Sequence, residues 1–419
     1  MRVRFTGCAR MMCQAAFLLL LALGFTTATQ AAVMNITAEY KGSITNPKTD
    51  FVNTTPPAGY CANSTLCGAG VFGVAFPAGG TKILTATAAR EPRKSFMVSF
   101  DSRPRDVTVT NERGQSFIVK FRAVGMSFLV SRVSNEAVGI REQFVQSPLY
   151  PFGSCNGNGY GGYNSNVYST HWTSQTTTGM AVCYEPNKPE LAPLTVSYSQ
   201  LALQYSLTLD APYTWPPGVY TGTGHYSFGA NKDIDFGDDY TDTAGTGTGI
   251  DINFTLDVTH ELFVRFPGAT QGPVVADLNP ENSWSNWPDR MPPYLKKELI
   301  FDFGTSGPLK LSVHCSGHYD ATTQSCGVRD QNDPAGPVLP FDVFMTNARL
   351  RDSAGQALIM KKLPVTDSGA LPELVSVTAG NVGLTPARLN FRTKAGVTDR
   401  MQRGHTYTGN LTVVFDANL

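Results

Sequence analysis

The sequence predicts an all-β chain made of two β-sandwich domains in tandem. Apolar residues alternate with polar ones at period 2 along most of the chain. Glycine (40) and proline (27) punctuate that alternation, and almost no stretch keeps a helical period. Short strands separated by turn residues at such spacing build sandwiches.

Residues 1–31 read as a secretory signal peptide. Arg2, Arg4 and Arg10 make a basic start, Ala15 to Leu23 is an apolar run, and Thr29, Gln30 and Ala31 close the segment. The run falls short of the roughly 20 residues that span a bilayer. Its removal takes away three arginines and no acid, so a chain of formal net charge 0 becomes slightly acidic. That balance argues against nucleic acid as a partner.

The strands follow in order. Phe117, Val119 and Phe121 alternate with Ile118, Lys120 and Arg122 after a turn at 111–114, and Leu203, Tyr205, Leu207 and Leu209 form a second alternating run. Gly218-Val219-Tyr220-Thr221-Gly222 opens a third. The sharpest strand is 250–258, with Ile250, Ile252, Phe254, Leu256 and Val258 on one face. Phe266 to Pro273 has the composition of a linker, so domains are expected at 32–267 and 273–419, joined by 268–272. One short helix or turn is expected at 293–297. Six cysteines remain in the exported chain, grouped as Cys61 and Cys67, Cys155 and Cys183, and Cys315 and Cys326. Neighbour pairing into three disulfides is the simplest expectation among 15 possible pairings.

Gly404-His405-Thr406-Tyr407-Thr408-Gly409 echoes 218–222. The first copy is followed by the strongly apolar strand at 250–258. The second is followed by Leu411-Thr412-Val413-Val414-Phe415 and then by Asp416-Ala417-Asn418-Leu419 alone. The second of the two immunoglobulin-like sandwiches is thus expected to lack its closing strand. Five core-facing residues make such a strand worth at most about 8–15 kcal/mol. A whole domain's stability is only about 5–15 kcal/mol. The second domain therefore needs a strand from another chain.

The chain resembles the tip adhesins of chaperone–usher pili, in the class 5 colonisation-factor and cable-pilus tip group. The resemblance is carried by Pro217-Gly218-Val219-Tyr220, by the strands ending at Phe266-Pro267, and above all by 404–415. By their alternation, Leu411, Val413 and Phe415 should line the groove of the second domain, and the resemblance implies that this is a pilin domain following an adhesin domain. It also implies a periplasmic pilus chaperone anchored at the Leu419 carboxylate, an outer-membrane usher, an adjacent pilin subunit, and a place at the pilus tip on the cell surface. A host-surface glycan or glycoprotein is the expected receptor. The rival reading is a non-adhesive structural initiator of the pilus. The family's arginine-containing receptor cluster has no counterpart here, because 54–60 and 227–248 contain no arginine and one lysine, Lys232.

Between Cys155 and Cys183 runs a Gly/Asn/Ser-rich loop carrying Tyr160, Tyr163 and Trp172, a composition that suits adaptable recognition. These three are the expected receptor-binding residues. Asp233, Asp235, Asp238, Asp239 and Asp242 resemble a calcium loop, but Ala244 stands where its twelfth-position carboxylate would be. His314 and His318 flank Cys315 without a third ligand nearby. No cofactor or metal is expected. The chain has no zinc-protease helix motif, nucleophile elbow or phosphate loop, and paired carboxylates near Asp238 do not distinguish a glycan-active enzyme from turn residues. No enzymatic activity is expected. The sequons at Asn35, Asn53, Asn63, Asn253 and Asn410 read as accidental.

Overall fold

A computed structural model describes residues 31–63, 66–85, 91–133, 140, 144, 150–159, 166–188, 193–268, 273–377 and 382–418. Among these, the helical elements are short 3₁₀ turns and the rest is strand and connection. The chain is all-β, in several sheets.

The first core is closed by two sheets. The main path of the larger runs through the strands Tyr240–Asp242, Gly80–Leu84, Leu194–Leu209, Ser116–Arg132, Arg105–Thr110, Gly218–Ser227, Gly249–Thr259, Ala32–Lys41 and Val52–Asn53. The smaller pairs Ile234–Asp235, Phe96–Asp101, Met180–Glu185 and Phe152–Gly153. Their facing side chains make one cluster, in which Phe96, Val98 and Phe100 of the small sheet meet Phe128, Trp172 and Tyr198 of the large one. The alternation read from the sequence is what fills it. Val119, Phe121, Leu203 and Tyr205 are buried, as are all five apolar residues of Gly249–Thr259. The turn at 111–114 works through Gly114, whose φ of +80° suits glycine, and through the Asn111 side chain, which accepts from the amides of Arg113 and Gln115.

Gly249–Thr259 sits between two full-length partners. Gly218–Ser227 pairs with it antiparallel, and Ala32–Lys41 pairs parallel from Ala32 opposite Ile250 to Lys41 opposite Thr259. The first strand after the expected cleavage point therefore contributes Met34, Ile36, Ala38 and Tyr40 to the core.

The second core lies in a further sheet whose path runs Leu262–Arg265, Lys296–Thr305, Val382–Thr393, Leu339–Arg351, Glu373–Val377, Leu309–Cys315 and Leu411–Asp416. Two expectations change here. Leu262–Arg265 already pairs with Lys296–Thr305, so the chain crosses to the second core at His260–Glu261 rather than at 268–272. Residues 269–272 of the expected linker lie outside the described residues. Of the helix or turn expected at 293–297, Lys296 and Lys297 belong instead to the strand Lys296–Thr305, where Leu295 N bonds Thr393 Oγ1 and Lys296 pairs with Arg392.

The crossing is built without a flexible linker. His260 Nε2 lies 2.7 Å from the Trp215 carbonyl, and its ring meets Tyr40 edge-on at 5.5 Å. Gly42 and Gly307 flank the imidazole from the two units, and a Cβ on Gly307 would collide with it. Glu261 N donates to Ser306 Oγ at 2.7 Å, and its carboxylate accepts from Ile44 N at 2.8 Å. Tyr213 packs against both cores.

Burial lowers the pKa of His260 against the pull of the Trp215 carbonyl, so the folded joint prefers the neutral ring. Its contribution is complete at and above neutral pH and shrinks as pH falls below about 6.5, where the unfolded ring takes up a proton first. The stability advantage of wild type over His260→Gln should therefore narrow between pH 7 and pH 5 in urea titrations. A gap that widened over that range would contradict the neutral buried ring.

Candidate functional site

The last strand, Leu411–Asp416, ends the path of the second sheet. It pairs with Leu309–Cys315 on one side, and among the described residues no strand pairs with its other edge. Leu411, Val413 and Phe415 turn toward the second core but remain only half-buried. The corresponding residues of Gly249–Thr259 are at most 1% exposed, because strands flank both sides of it. The opposite end of the path, Leu262–Arg265, is also half-buried on its apolar residues. Aromatic rings span the space between the two ends. Phe266 stacks on Phe301 at 4.8 Å, and Phe415 meets Phe301 at 5.7 Å and Phe303 at 5.9 Å. Free backbone groups beside uncovered apolar rings are what an added strand would satisfy.

A second feature lies on the first sandwich. The stretch 227–248 carries no arginine of its own, but the fold brings arginine to it. Arg93 pairs with Asp235 at 2.6 Å and Asp238 at 2.7 Å. Arg105 pairs with Asp101 at 2.7 Å and Asp233 at 2.6 Å, and lies 3.8 Å over the Tyr226 ring. Burial alone would raise the pKa of Asp101, but hydrogen bonds from Arg103 and Arg105 outweigh it and hold the carboxyl well below the usual range. Asp242 caps its own turn, accepting from the amides of Ala244 and Thr246. Lys82 is wholly buried, and its ammonium donates to the carbonyls of Arg93 at 2.8 Å and Phe236 at 2.5 Å. Burial pushes its pKa down to about 7, against the attraction of Asp235. Beside this network is a cavity of about 460 Å³ whose lining includes Arg93, Ser99, Met180, Asn231 and Lys232. Sequence reading missed Arg93 and Arg105, which lie over 120 residues away along the chain from the aspartates of 233–238. Only tertiary pairing joins them.

The expected site residues separate. The three cysteine couples are disulfide-bonded, with Cα–Cα distances of 5.4, 5.4 and 5.2 Å for Cys61–Cys67, Cys155–Cys183 and Cys315–Cys326. Trp172 is corrected from a receptor contact to a core residue. It is 0% exposed, edge-on to Phe96 and Phe128 at 5.0 Å each, because Val167–Ser174 is a sheet strand whose even positions face inward. Tyr160, Tyr163 and Leu419 lie outside the described residues. His314 pairs with Asp367 at 3.1 Å, and the His318 ring contacts the Gly317 carbonyl.

No protein-family model matches the chain, and no curated protein matches its sequence. Three solved structures share parts of its chain path. A chaperone–tip adhesin complex of CFA/I fimbriae matches at 9% identity, covering 94% of this chain and 98% of the other, with a TM-score of 0.24. CfaE, the adhesive subunit of the CFA/I fimbria of enterotoxigenic Escherichia coli, matches at 11% identity over 92% of each chain, with a TM-score of 0.23. The CsuC–CsuE chaperone–tip adhesion subunit complex of Acinetobacter baumannii matches at 11% identity, covering 92% and 98%, with a TM-score of 0.20. At TM-scores this low, the likeness settles neither the fold nor the function of this chain.

The free edge has a measurable consequence. Phe303 is fully buried, and Phe303→Ala should cost about 3–5 kcal/mol. Phe415→Ala, on the half-covered strand, should cost about half as much or less. Urea titration of the transition assigned to the second sandwich compares the two directly. Equal costs would mean that the edge is already covered.

Proposed function

We propose that this chain is the tip subunit of a bacterial chaperone–usher pilus, joined to the shaft by a strand donated from the adjacent pilin subunit. The observation that supports this most is the half-covered strand Leu411–Asp416, with Leu411, Val413 and Phe415 turned to a core that no second neighbour among the described residues seals. An edge of that kind invites aggregation unless a partner covers it from export onward. A periplasmic chaperone fills that role first, with the Leu419 carboxylate as its anchor. The outer-membrane usher then exchanges the chaperone for the pilin strand. The signal-like start, the cysteine couples and the resemblance at 404–415 fit this route to the cell surface.

The first sandwich is the receptor-binding domain in this reading, with a host-surface glycan or glycoprotein as its ligand. The cleft beside Arg93, Asn231 and Lys232 offers polar groups around an apolar wall, as ligand sites do. A non-adhesive initiator of pilus assembly would use the same free edge. The size of the first sandwich and its cleft favour adhesion over that role, since nucleating a shaft calls for the pilin fold alone.

Two experiments test the reading. Appending a pilin donor strand after residue 419 through a short flexible linker should convert an aggregating product into a soluble monomer with a higher Tm for the second sandwich. A native chain that is monomeric, reversible and unmoved by the added strand would end the donor-strand proposal. The strand-fused full chain on a glycan array should then bind a restricted set of glycans. Lys232→Ala should weaken that binding about tenfold, the scale of one charge-assisted hydrogen bond. Absence of binding to any glycan or host cell would favour the initiator.

A further inference from the structure

The chain has four tryptophans, and they are divided unequally. Trp172 and Trp215 are fully buried in the first core, whereas Trp284 and Trp287 stand three residues apart in a solvent-facing segment of the second unit. Every residue of 281–290 is exposed except Trp287, which is half-buried, and Trp284 is 46% exposed. Large aromatic rings grouped in water at a folded surface are candidate contact sites.

The backbone presents them under strain. Asn282 and Ser283 both have positive φ, +66° and +79°, and Ser283 combines its value with a ψ of 152°, a region otherwise left to glycine. Trp284 Nε1 donates to Asn279 Oδ1 at 3.2 Å, which fixes the indole by its edge. Asn282, Ser283, Ser285 and Asn286 flank Trp284 in the chain and carry exposed amides and hydroxyls.

Three guanidinium groups converge on the same surface. Arg290 lies 4.8 Å over the Trp287 ring, and Arg392 lies 4.0 Å over the Tyr294 ring. Arg403 donates to the carbonyls of Trp287 and Pro288. Of the two acids in this segment, Glu281 is occupied by Tyr294 and Lys296, and Asp289 stands exposed beside Arg290 without an ion pair among the described residues. Among the described residues, none of the three arginines forms an ion pair.

We propose that 281–290, together with Arg392 and Arg403, is a binding surface for an acidic glycan. The indole face takes a sugar C–H face, Asn and Ser groups read hydroxyls, and the unpaired guanidiniums take carboxylate or sulfate. A lipid surface fits less well, because the residues between the indoles are polar rather than apolar. This surface is on the second unit and goes beyond the receptor reading of the first.

The test is surface plasmon resonance on the full chain with heparin and hyaluronate as acidic probes, dextran as neutral probe, and phosphatidylglycerol vesicles as the lipid alternative. The expected result is binding to at least one acidic polymer but not to dextran, weakening as salt rises. Trp284→Ala should reduce it about fivefold or more, and Arg290→Gln and Arg403→Gln should each reduce it about threefold to tenfold. Lys41→Ala, an exposed pair with Glu39 on the first sandwich, should leave it unchanged. Trp284 and Arg290 are exposed, so their variants fold, and circular dichroism checks that they do. The proposal is overturned by absence of binding to both acidic polymers, by equal binding to dextran, by binding to vesicles alone, or by unchanged affinity in the Trp284 and Arg290 variants.

Discussion

The seating of Gly249–Thr259 between two full-length strands is the constraint on which the rest of the molecule depends. Ten residues of Ala32–Lys41 lie parallel on one side and Gly218–Ser227 antiparallel on the other. Every backbone group of the strand's interior then has a neighbour on each side, and its five apolar side chains lose nearly all contact with water. The first sandwich is complete because of this arrangement. It also ties Ala32–Lys41 to the point where the chain leaves for the second unit.

That exit is where rigidity is decided. Two residues after the strand are held by side-chain and backbone contacts from both units, and an imidazole fills the slot that two glycines leave empty. A joint of this kind carries orientation from one sandwich to the other, which a Gly/Pro linker would not. The second sheet lacks an equivalent of the seated strand. Among the described residues, Leu411–Asp416 has one neighbour, and the aromatic cluster of Phe266, Phe301, Phe303 and Phe415 is left with a half-open side.

Charge follows the same logic of completion by distant parts. The aspartates of 233–238 look like an acidic loop along the chain, but Arg93 and Arg105 neutralise them in space. On the second unit, Arg290, Arg392 and Arg403 meet rings and carbonyls rather than carboxylates. Paired charge thus borders the cavity of the first unit, whereas among the described residues these three arginines near Trp284 and Trp287 form no ion pair.

Period-2 alternation was enough to determine the all-β class and the inward faces of 117–121, 203–209 and 250–258, because the side-chain period of a strand is written directly in residue order. Trp172 was misread because a Gly/Asn-rich neighbourhood says nothing about which face of a strand a ring takes. The joint at His260–Glu261 carries no composition signal, since packing rather than glycine or proline makes it. Arg93, Arg105 and the cluster around Trp284 were invisible in sequence because their partners are distant in the chain or their exposure depends on backbone angles at Asn282 and Ser283. Local order decides which face a residue takes, and only the folded sheet decides which distant charge, ring or free edge it meets.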